Sequence, residues 1–483
     1  MIDCGCLELD FDFRTIKAER AMVKVTELDW TITSDSSMTL CSSMENRAKD
    51  RKAHILNLGK KLHFDDAANE QDNDKTEIVG QIYIDHTVPS PRLDYRILLE
   101  CVDTGDEGMF ELFFRPNFFA QYRQKTGHDL MLFSGLVVRV RGSESIGITP
   151  AFMAQFHRFT VDDIVVEAPF SKSSPIPESA NGLTGQIFKG PFYQLRTDPG
   201  AAGMPFQPVV ELNTLEYMQV IRMYVKDSPG VVVLLGPFLP TDEALLLALP
   251  CSPIEWYTAF FHFIHGMAEE FPATQFVVVP GSTDVLDGAT CWPNAGLSHV
   301  AADVAKTSLP LDSPDFFKSR TKLKIWPFIR DYNGALAHSN VHMVGTPAHI
   351  DIDGLRVAVT PNSPADDLDN IVEKPQGPNL VPLEVDRFKE DCEAMVTQRH
   401  LMPAFPPSIV ANYNSAADQA CWLASKPHLM IVGGVEGADT TVKGVTVVSP
   451  GQLTNGRELL NNMATFEVRG GEIEVSLFGQ KRE

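Results

Sequence analysis

The sequence predicts an α/β fold joined to a separate all-β unit. Five apolar runs carry the first half of that expectation. They are residues 231–235, 276–279, 355–359, 429–432 and 445–448, and each stops at a turn rich in glycine, proline or serine. Short continuous apolar runs bounded in this way are strands buried on both faces. The second half comes from residues 77–166, where short segments alternate apolar and polar side chains between Gly and Pro turns. That spacing predicts a small barrel or sandwich.

Taken in order, residues 1–75 carry the weakest structural signals. Within them, residues 44–62 place Ile55, Leu56, Leu58 and Leu62 at helical spacing, with Ser42 and Ser43 as candidate caps. Residues 64–76 are acidic and polar and read as a linker. The all-β unit is assigned to 76–166. Strands are expected over 77–84, 95–101, 109–114, 130–140 and 159–166, and their number fits an OB-type barrel. Residues 167–183 hold Pro169, Pro175, Pro177 and several serines, and read as a connection between domains. From 184 to 483 strands alternate with helical patterns, the clearest helices being 212–225 and 254–271, as in an α/β layer structure. Residues 308–340 show no core element and read as an insertion.

Bulk properties narrow the function. The net charge of −22 argues against a broad basic surface for nucleic acid and favours protein partners. No apolar run reaches the ~18 residues of a membrane span. The first residues, Met1-Ile2-Asp3-Cys4-Gly5-Cys6-Leu7-Glu8, lack a charged-then-apolar signal layout, so a reducing intracellular compartment is the expectation. The eight cysteines show no C-x-x-C pair, and read as small apolar residues.

In an open α/β sheet the acids, bases and metal ligands sit beyond the strand ends. Here those places hold Gly236-Pro237-Phe238, Pro280-Gly281-Ser282-Thr283-Asp284, Thr360-Pro361, Gly433-Gly434 and Ser449-Pro450-Gly451. A dimetal phosphoesterase needs several Asp, His and Asn ligands to hold two divalent ions. Its usual spacings, D-x-H, G-D-x-x-D, G-N-H-[DE] and G-H-x-H, are absent. Asp284 is a lone carboxylate at the third strand end. His338, His342, His349, Asp351 and Asp353 lie close in sequence and leave two readings open: a mononuclear metal site, or a polar loop leading through an edge strand into an Asp353-Gly354 hairpin turn. Neither a phosphate-binding G-x-x-x-x-G-K-[ST] loop nor a G-x-S-x-G elbow occurs. Arg115, Arg123, Lys125, Arg139 and Arg141, with Tyr122 and Phe133, would give the barrel a basic, aromatic face for single strands, or are simply solvated strand faces.

These pieces, in this order, resemble the B subunits of eukaryotic replicative DNA polymerases. The matching segments are Gly80-Gln81-Ile82, Gly190-Pro191-Phe192-Tyr193, Leu235-Gly236-Pro237-Phe238-Leu239, Val279 through Val285, Asp353-Gly354-Leu355 through Thr360, Gln398-Arg399-His400-Leu401-Met402-Pro403-Ala404-Phe405-Pro406-Pro407, and Val448-Ser449-Pro450-Gly451-Gln452-Leu453-Thr454-Asn455-Gly456. They span residues 77–470, and the last two are similar to the alpha type more than to delta or epsilon. The pattern departs from the family at Gly281, over 308–340, and in the much reduced N-terminal helical module. The resemblance implies an OB fold packed on an inactive calcineurin-like phosphoesterase sandwich, without catalytic residues, metal or cofactor. It implies a nuclear accessory subunit that binds the zinc-containing C-terminal region of the catalytic subunit of DNA polymerase alpha and tethers it to primase, with weak or indirect DNA contact. The alternatives are a delta- or epsilon-type B subunit, an active phosphoesterase or nuclease using Asp284, His338, His342 and His349, or a free-standing single-strand binder.

Overall fold

A computed structural model describes residues 23–27, 44–64, 76–87, 95–101, 108–148, 155–170, 174–192, 214–239, 253–284, 340–364, 368, 386–404, 420–455 and 459–479. The described elements begin with β1 (Val25–Glu27), α1 (Met44–Gly59), β2 (Thr76–Asp85), β3 (Arg96–Cys101), β4 (Met109–Phe114), α2 (Phe118–Thr126), β5 (Val137–Ile148) and β6 (Gln155–Val165). They continue with β7 (Thr184–Lys189), α3 (Thr214–Val225), β8 (Val231–Leu235), α4 (Pro253–Glu270), β9 (Gln275–Val279), β10 (Val341–Met343), β11 (Ala348–Ile352) and β12 (Leu355–Thr360). The last are α5 (Arg387–Thr397), β13 (Leu429–Val432), β14 (Gly437–Val442), β15 (Val445–Pro450), β16 (Met463–Arg469) and β17 (Glu472–Phe478). The region proposed as an insertion, 308–340, lies outside the described residues except for Asn340.

Strands β2-β3-β4-β6-β5 close into a five-stranded barrel, with β4 and β6 parallel and the other pairs antiparallel. Its interior is filled by Ile82, Leu99, Phe133, Val138, Phe159 and Val161, each nearly inaccessible to solvent. Two details differ from the sequence expectation. Residues 130–136 are not strand, because the strand begins at Val137. Between β4 and β5 sits α2, whose Phe118, Phe119 and Tyr122 plug the barrel and which ends on Gly127 at φ 83. That left-handed stop is where glycine costs least.

The remainder forms two six-stranded sheets, β10-β9-β8-β7-β16-β17 and β1-β11-β12-β13-β15-β14. The period-2 geometry of strands explains why their sequences are apolar throughout. In β8, Val231, Val233 and Leu235 face the core between the sheets, while Val232 and Leu234 face a second core under α3 and α4. In β13, Leu429 and Ile431 face the same inter-sheet core, and Met430 and Val432 face Met395 and Val396 of α5. The result is a helix–sheet–sheet–helix sandwich in which the central strands lie buried on both sides.

The edge assignment for residues 349–354 is corrected. Strand β11 is interior, because β1 adds to its outer side with Val25 opposite Ile352. A three-residue strand in a stretch with little patterning leaves no readable signal. The hairpin turn itself is present: Ile352 opposes Leu355 across Asp353 and Gly354, at φ 53 and 88, as a type I′ turn requires.

The barrel is held against the sandwich by the segment after α5. Gln398, 2% exposed, donates to the carbonyls of Val137 (3.2 Å) and Val166 (2.7 Å) and accepts from the Val137 N–H (2.9 Å). The Ala168 N–H donates to the Thr397 carbonyl at 3.1 Å. Arg399 at φ 52 donates to the carbonyls of Leu423 and Ala424, and lies over the rings of Phe170 and Trp422. Helix α1 closes the joint. Its Ile55 and Leu58, with Leu62 just beyond, pack on Val79, Val137 and Ala168, and its His54 meets His400 edge-on. The connection expected at 167–183 is therefore pinned along its length, with Ala168, Ala180 and Leu183 buried.

Candidate functional site

The strand ends of the sandwich form the candidate site. Each of the first three parallel strands ends in a turn that lies directly on its neighbour. A Cβ on Gly190, after β7, would stand 2.1 Å from the Pro237 carbonyl oxygen. One on Gly236, after β8, would stand 2.2 Å from the Gly281 nitrogen and 2.3 Å from Asp284 Oδ2. In the second sheet, a Cβ on Gly433 would stand 1.8 Å from the Pro361 carbonyl oxygen, and one on Gly434 would stand 2.3 Å from Ser449 Oγ. Real Cβ atoms do not approach so closely, so glycine is required for backbone to rest on backbone. The phenylalanines of the two Gly-Pro-Phe turns point inward. Phe192 and Phe238 are fully buried and stack at 5.5 Å between ring centroids, with Phe238 against Phe260 of α4.

Asp284 sits at the centre of this arrangement with 0% exposure. Its Oδ1 accepts from the main-chain N–H groups of Phe238 (2.6 Å) and Leu239 (2.7 Å) and from the Tyr257 hydroxyl (3.2 Å). Its Oδ2 accepts from the Gly281 N–H at 2.7 Å. Burial pushes the carboxyl pKa up to about 7, against the lowering pull of those donors. Burial next to Asp284 pushes the Tyr257 hydroxyl well above its ordinary value. Both oxygens are thus engaged by donors from the second and third strand-end turns, and the carboxylate ties the two turns together.

The histidines and aspartates grouped in sequence are separated in space. His342 lies on β10 in one sheet, with Nε2 2.9 Å from Gln275 Oε1. His349 lies on β11 in the other sheet, buried, with Nε2 donating to the Ala420 carbonyl at 2.9 Å. Asp351 accepts from the Gly354 N–H at 2.7 Å, and Asp353 accepts from the Lys24 N–H at 2.8 Å, so both hold the hairpin turn and β1. His338 lies outside the described residues. Among the described residues, no group of three or more His, Cys, Asp or Glu side chains is placed to hold a metal ion. The residues present do not fit a dimetal centre: the one strand-end carboxylate is saturated by N–H and O–H donors, and the histidines serve other partners.

His349 carries a pH prediction. Burial holds its pKa below the ordinary value of 6.5, so the unfolded chain takes up the proton first. Its contribution is present at neutral pH and is lost as pH falls below about 6.5 towards the lower folded value. His342 and His428 are shifted in the same direction by burial. Thermal unfolding at pH 7.5 and pH 5.5 is expected to show a loss of stability on acidification. His349→Gln, which keeps a donor for Ala420, is expected to reduce that loss.

The barrel's cations are paired. Arg115 meets Asp162 at 2.8 Å, Lys125 meets Asp163 at 2.9 Å, Arg139 meets Glu77 at 3.3 Å, and Arg123 and Arg141 meet Asp129 and Glu77. Tyr122 and Phe133 are buried in the barrel core. The residues offered as a basic, aromatic face for single strands therefore form ion pairs and core, and the solvated-face reading holds for them.

Sequence reasoning missed what the Gln-Arg-His motif does. It left Pro403 and its neighbours open between an exposed anchor and an internal turn. Pro403 and Ala404 are buried, and Gln398, Arg399 and His400 are consumed by the barrel joint. Phe405, Pro406 and Pro407 lie outside the described residues. A glutamine and an arginine within an apolar stretch were the available signal, since such groups are buried only when hydrogen-bonded.

No helix among the described residues is long and apolar enough to cross a membrane. No curated protein matches the chain. Two solved structures are similar to it. The crystal structure of TT1561 of Thermus thermophilus shows 14% identity, covers 61% of this chain and 99% of its own, and has a TM-score of 0.26. A second crystal structure shows 12% identity, covers 62% of this chain and 100% of its own, and has a TM-score of 0.28. Scores this low carry no argument about fold, which rests on the chain's own sheets. Residues 205–440 match the family model of the DNA polymerase alpha/epsilon B subunits, which supports the B-subunit family for this chain and does not separate alpha from epsilon.

Proposed function

We propose that the chain is a non-catalytic accessory subunit of a replicative DNA polymerase, of the alpha–primase type. One observation carries this reading: the strand-end turns where a phosphoesterase would gather its ligands are closed on one another, with Asp284 taken up by four donors. Groups held in this way have no lone pair directed at a metal and no proton to transfer. On this reading the α/β unit, 184–483, is an inactive calcineurin-like phosphoesterase sandwich. The barrel, 76–166, is an OB fold; its strand order with one parallel closure supports that assignment.

The work of such a protein is binding. It would hold the zinc-containing C-terminal region of the alpha catalytic subunit, and through it primase, in the nucleus. The alpha preference rests on the Gln398–Ala404 and Val448–Gly456 segments, and the family match supports the coarser assignment.

Mass spectrometry of the chains that co-purify with the tagged full-length protein tests the proposal. The expected result is a large alpha-type catalytic chain together with both primase chains. An epsilon- or delta-type catalytic chain instead would reassign the subunit. Recovery of no polymerase chain, or manganese-dependent turnover of a phosphodiester reporter that follows the protein through purification, would overturn the accessory role.

A further inference from the structure

The two sheets have four outer edges. Two are blunted by length, since β1 and β10 each have three residues. The third, β14, has α5 packed against it. The fourth, β17, has seven residues and pairs only with β16 among the described strands, Met463 lying opposite Phe478 and Arg469 opposite Glu472. Five of its seven residues are exposed, including Leu477 and Phe478 at 36% and 46%. Val435, 54% exposed, lies in the turn before β14, and Leu477 approaches within 3.9 Å of the position a Cβ on Gly437 would take. A long edge with unpaired main-chain groups and apolar side chains is a template for one more strand, and proteins usually blunt or cover such edges.

Charge decides what can pair there. The last hairpin carries Glu467, Glu472 and Glu474 against a single cation, Arg469, which already meets Glu467 at 2.7 Å and Glu474 at 3.3 Å. Two copies of a chain with net charge −22 repel each other, and glutamates on the edge resist self-pairing. The same glutamates favour lysine or arginine on an incoming strand, because opposite charges on facing strand positions attract.

We propose that β17 is a docking edge for an extended cationic segment of another protein, one that alternates basic and apolar residues and extends the sheet by one strand. Main-chain hydrogen bonds give the attachment. Alternate side chains give the selection, basic ones towards Glu472 and Glu474 and apolar ones towards Leu477. This does not rest on the accessory-subunit reading, which concerns the strand ends and not the sheet edge.

The test uses the full chain and a blocked synthetic peptide that alternates lysine and valine. A peptide of the same composition with its lysines in one block is the control. The expected result is saturable binding of the alternating peptide, with new hydrogen-exchange protection at the amides of 472–478. The exposed charge reversals Glu472→Lys and Glu474→Lys together are expected to weaken binding about tenfold or more, the equivalent of one or two ion pairs lost. Ser476→Pro, which removes a main-chain donor at an exposed position, supplies a second variant, checked for folding by its melting temperature. Equal binding of the block peptide, protection elsewhere in the chain, no binding at all, or a concentration-dependent dimer that protects β17 would each overturn the proposal.

Discussion

Asp284→Ala is expected to cost on the order of 4 kcal/mol and to leave little folded protein at physiological temperature. The substitution strands the N–H groups of Phe238, Leu239 and Gly281 and the Tyr257 hydroxyl in a site closed to water. Each buried donor left without an acceptor costs about 1–3 kcal/mol, offset in part by relief from burying a carboxylate. A domain is stable by only ~5–15 kcal/mol in total, so the loss is large. Asp284→Asn keeps an oxygen for three of the donors and sets an amide against the fourth, so an intermediate loss of about 1–3 kcal/mol is expected. Melting temperature and protease resistance of the two variants check the order Asp, Asn, Ala. An alanine variant as stable as the parent would show that the carboxylate does not hold the turns together, and would reopen a chemical role for it.

Gln398→Ala is expected to loosen the barrel from the sandwich. The side chain makes three hydrogen bonds to the main chain of Val137 and Val166 across the joint, all at buried positions. Removing it leaves the Val137 N–H and two carbonyls without these partners, a loss of about 2–4 kcal/mol. The loss falls on one interface, so it is expected to appear as local opening before global unfolding. Hydrogen exchange should rise at Val137 and Ala168 while the amides of β8 and β13 keep their protection. Uniform acceleration across both units would mean that the glutamine supports the whole fold and not the joint.

The two predictions separate what could be read from the chain and what could not. The strands of the sandwich were legible because burial on both faces removes every polar position, and the runs at 231–235 and 429–432 coincide with β8 and β13. The emptied strand ends were legible too, as Gly-Pro-Phe and Gly-Gly. The use made of them was not: that Gly236 is the only residue that fits beside Asp284 Oδ2 depends on atoms 48 residues apart in sequence. Asp284 read as a surviving ligand, since a lone carboxylate looks the same in sequence whether it meets a metal or four donors. His342 and His349 read as neighbours, although a turn places them on different sheets. Helix α2 was hidden inside a β-rich block, where Phe118 and Phe119 look like strand, although Gly127 marked its end. The Gly470-Gly471 turn between β16 and β17 was also visible, with positive φ at both residues, but β17 shows exposed positions at both ends and so lacks the pattern of a buried strand.

The placement of β1 has a consequence for the order in which the chain assembles. The Lys24 N–H bonds Asp353, 329 residues away, and Val25 pairs with Ile352. During synthesis this early segment has nothing to pair with until most of the polypeptide has emerged. Contacts so distant along the chain are slow to form, so the outermost strand of that sheet should join late and act as the closing step of maturation.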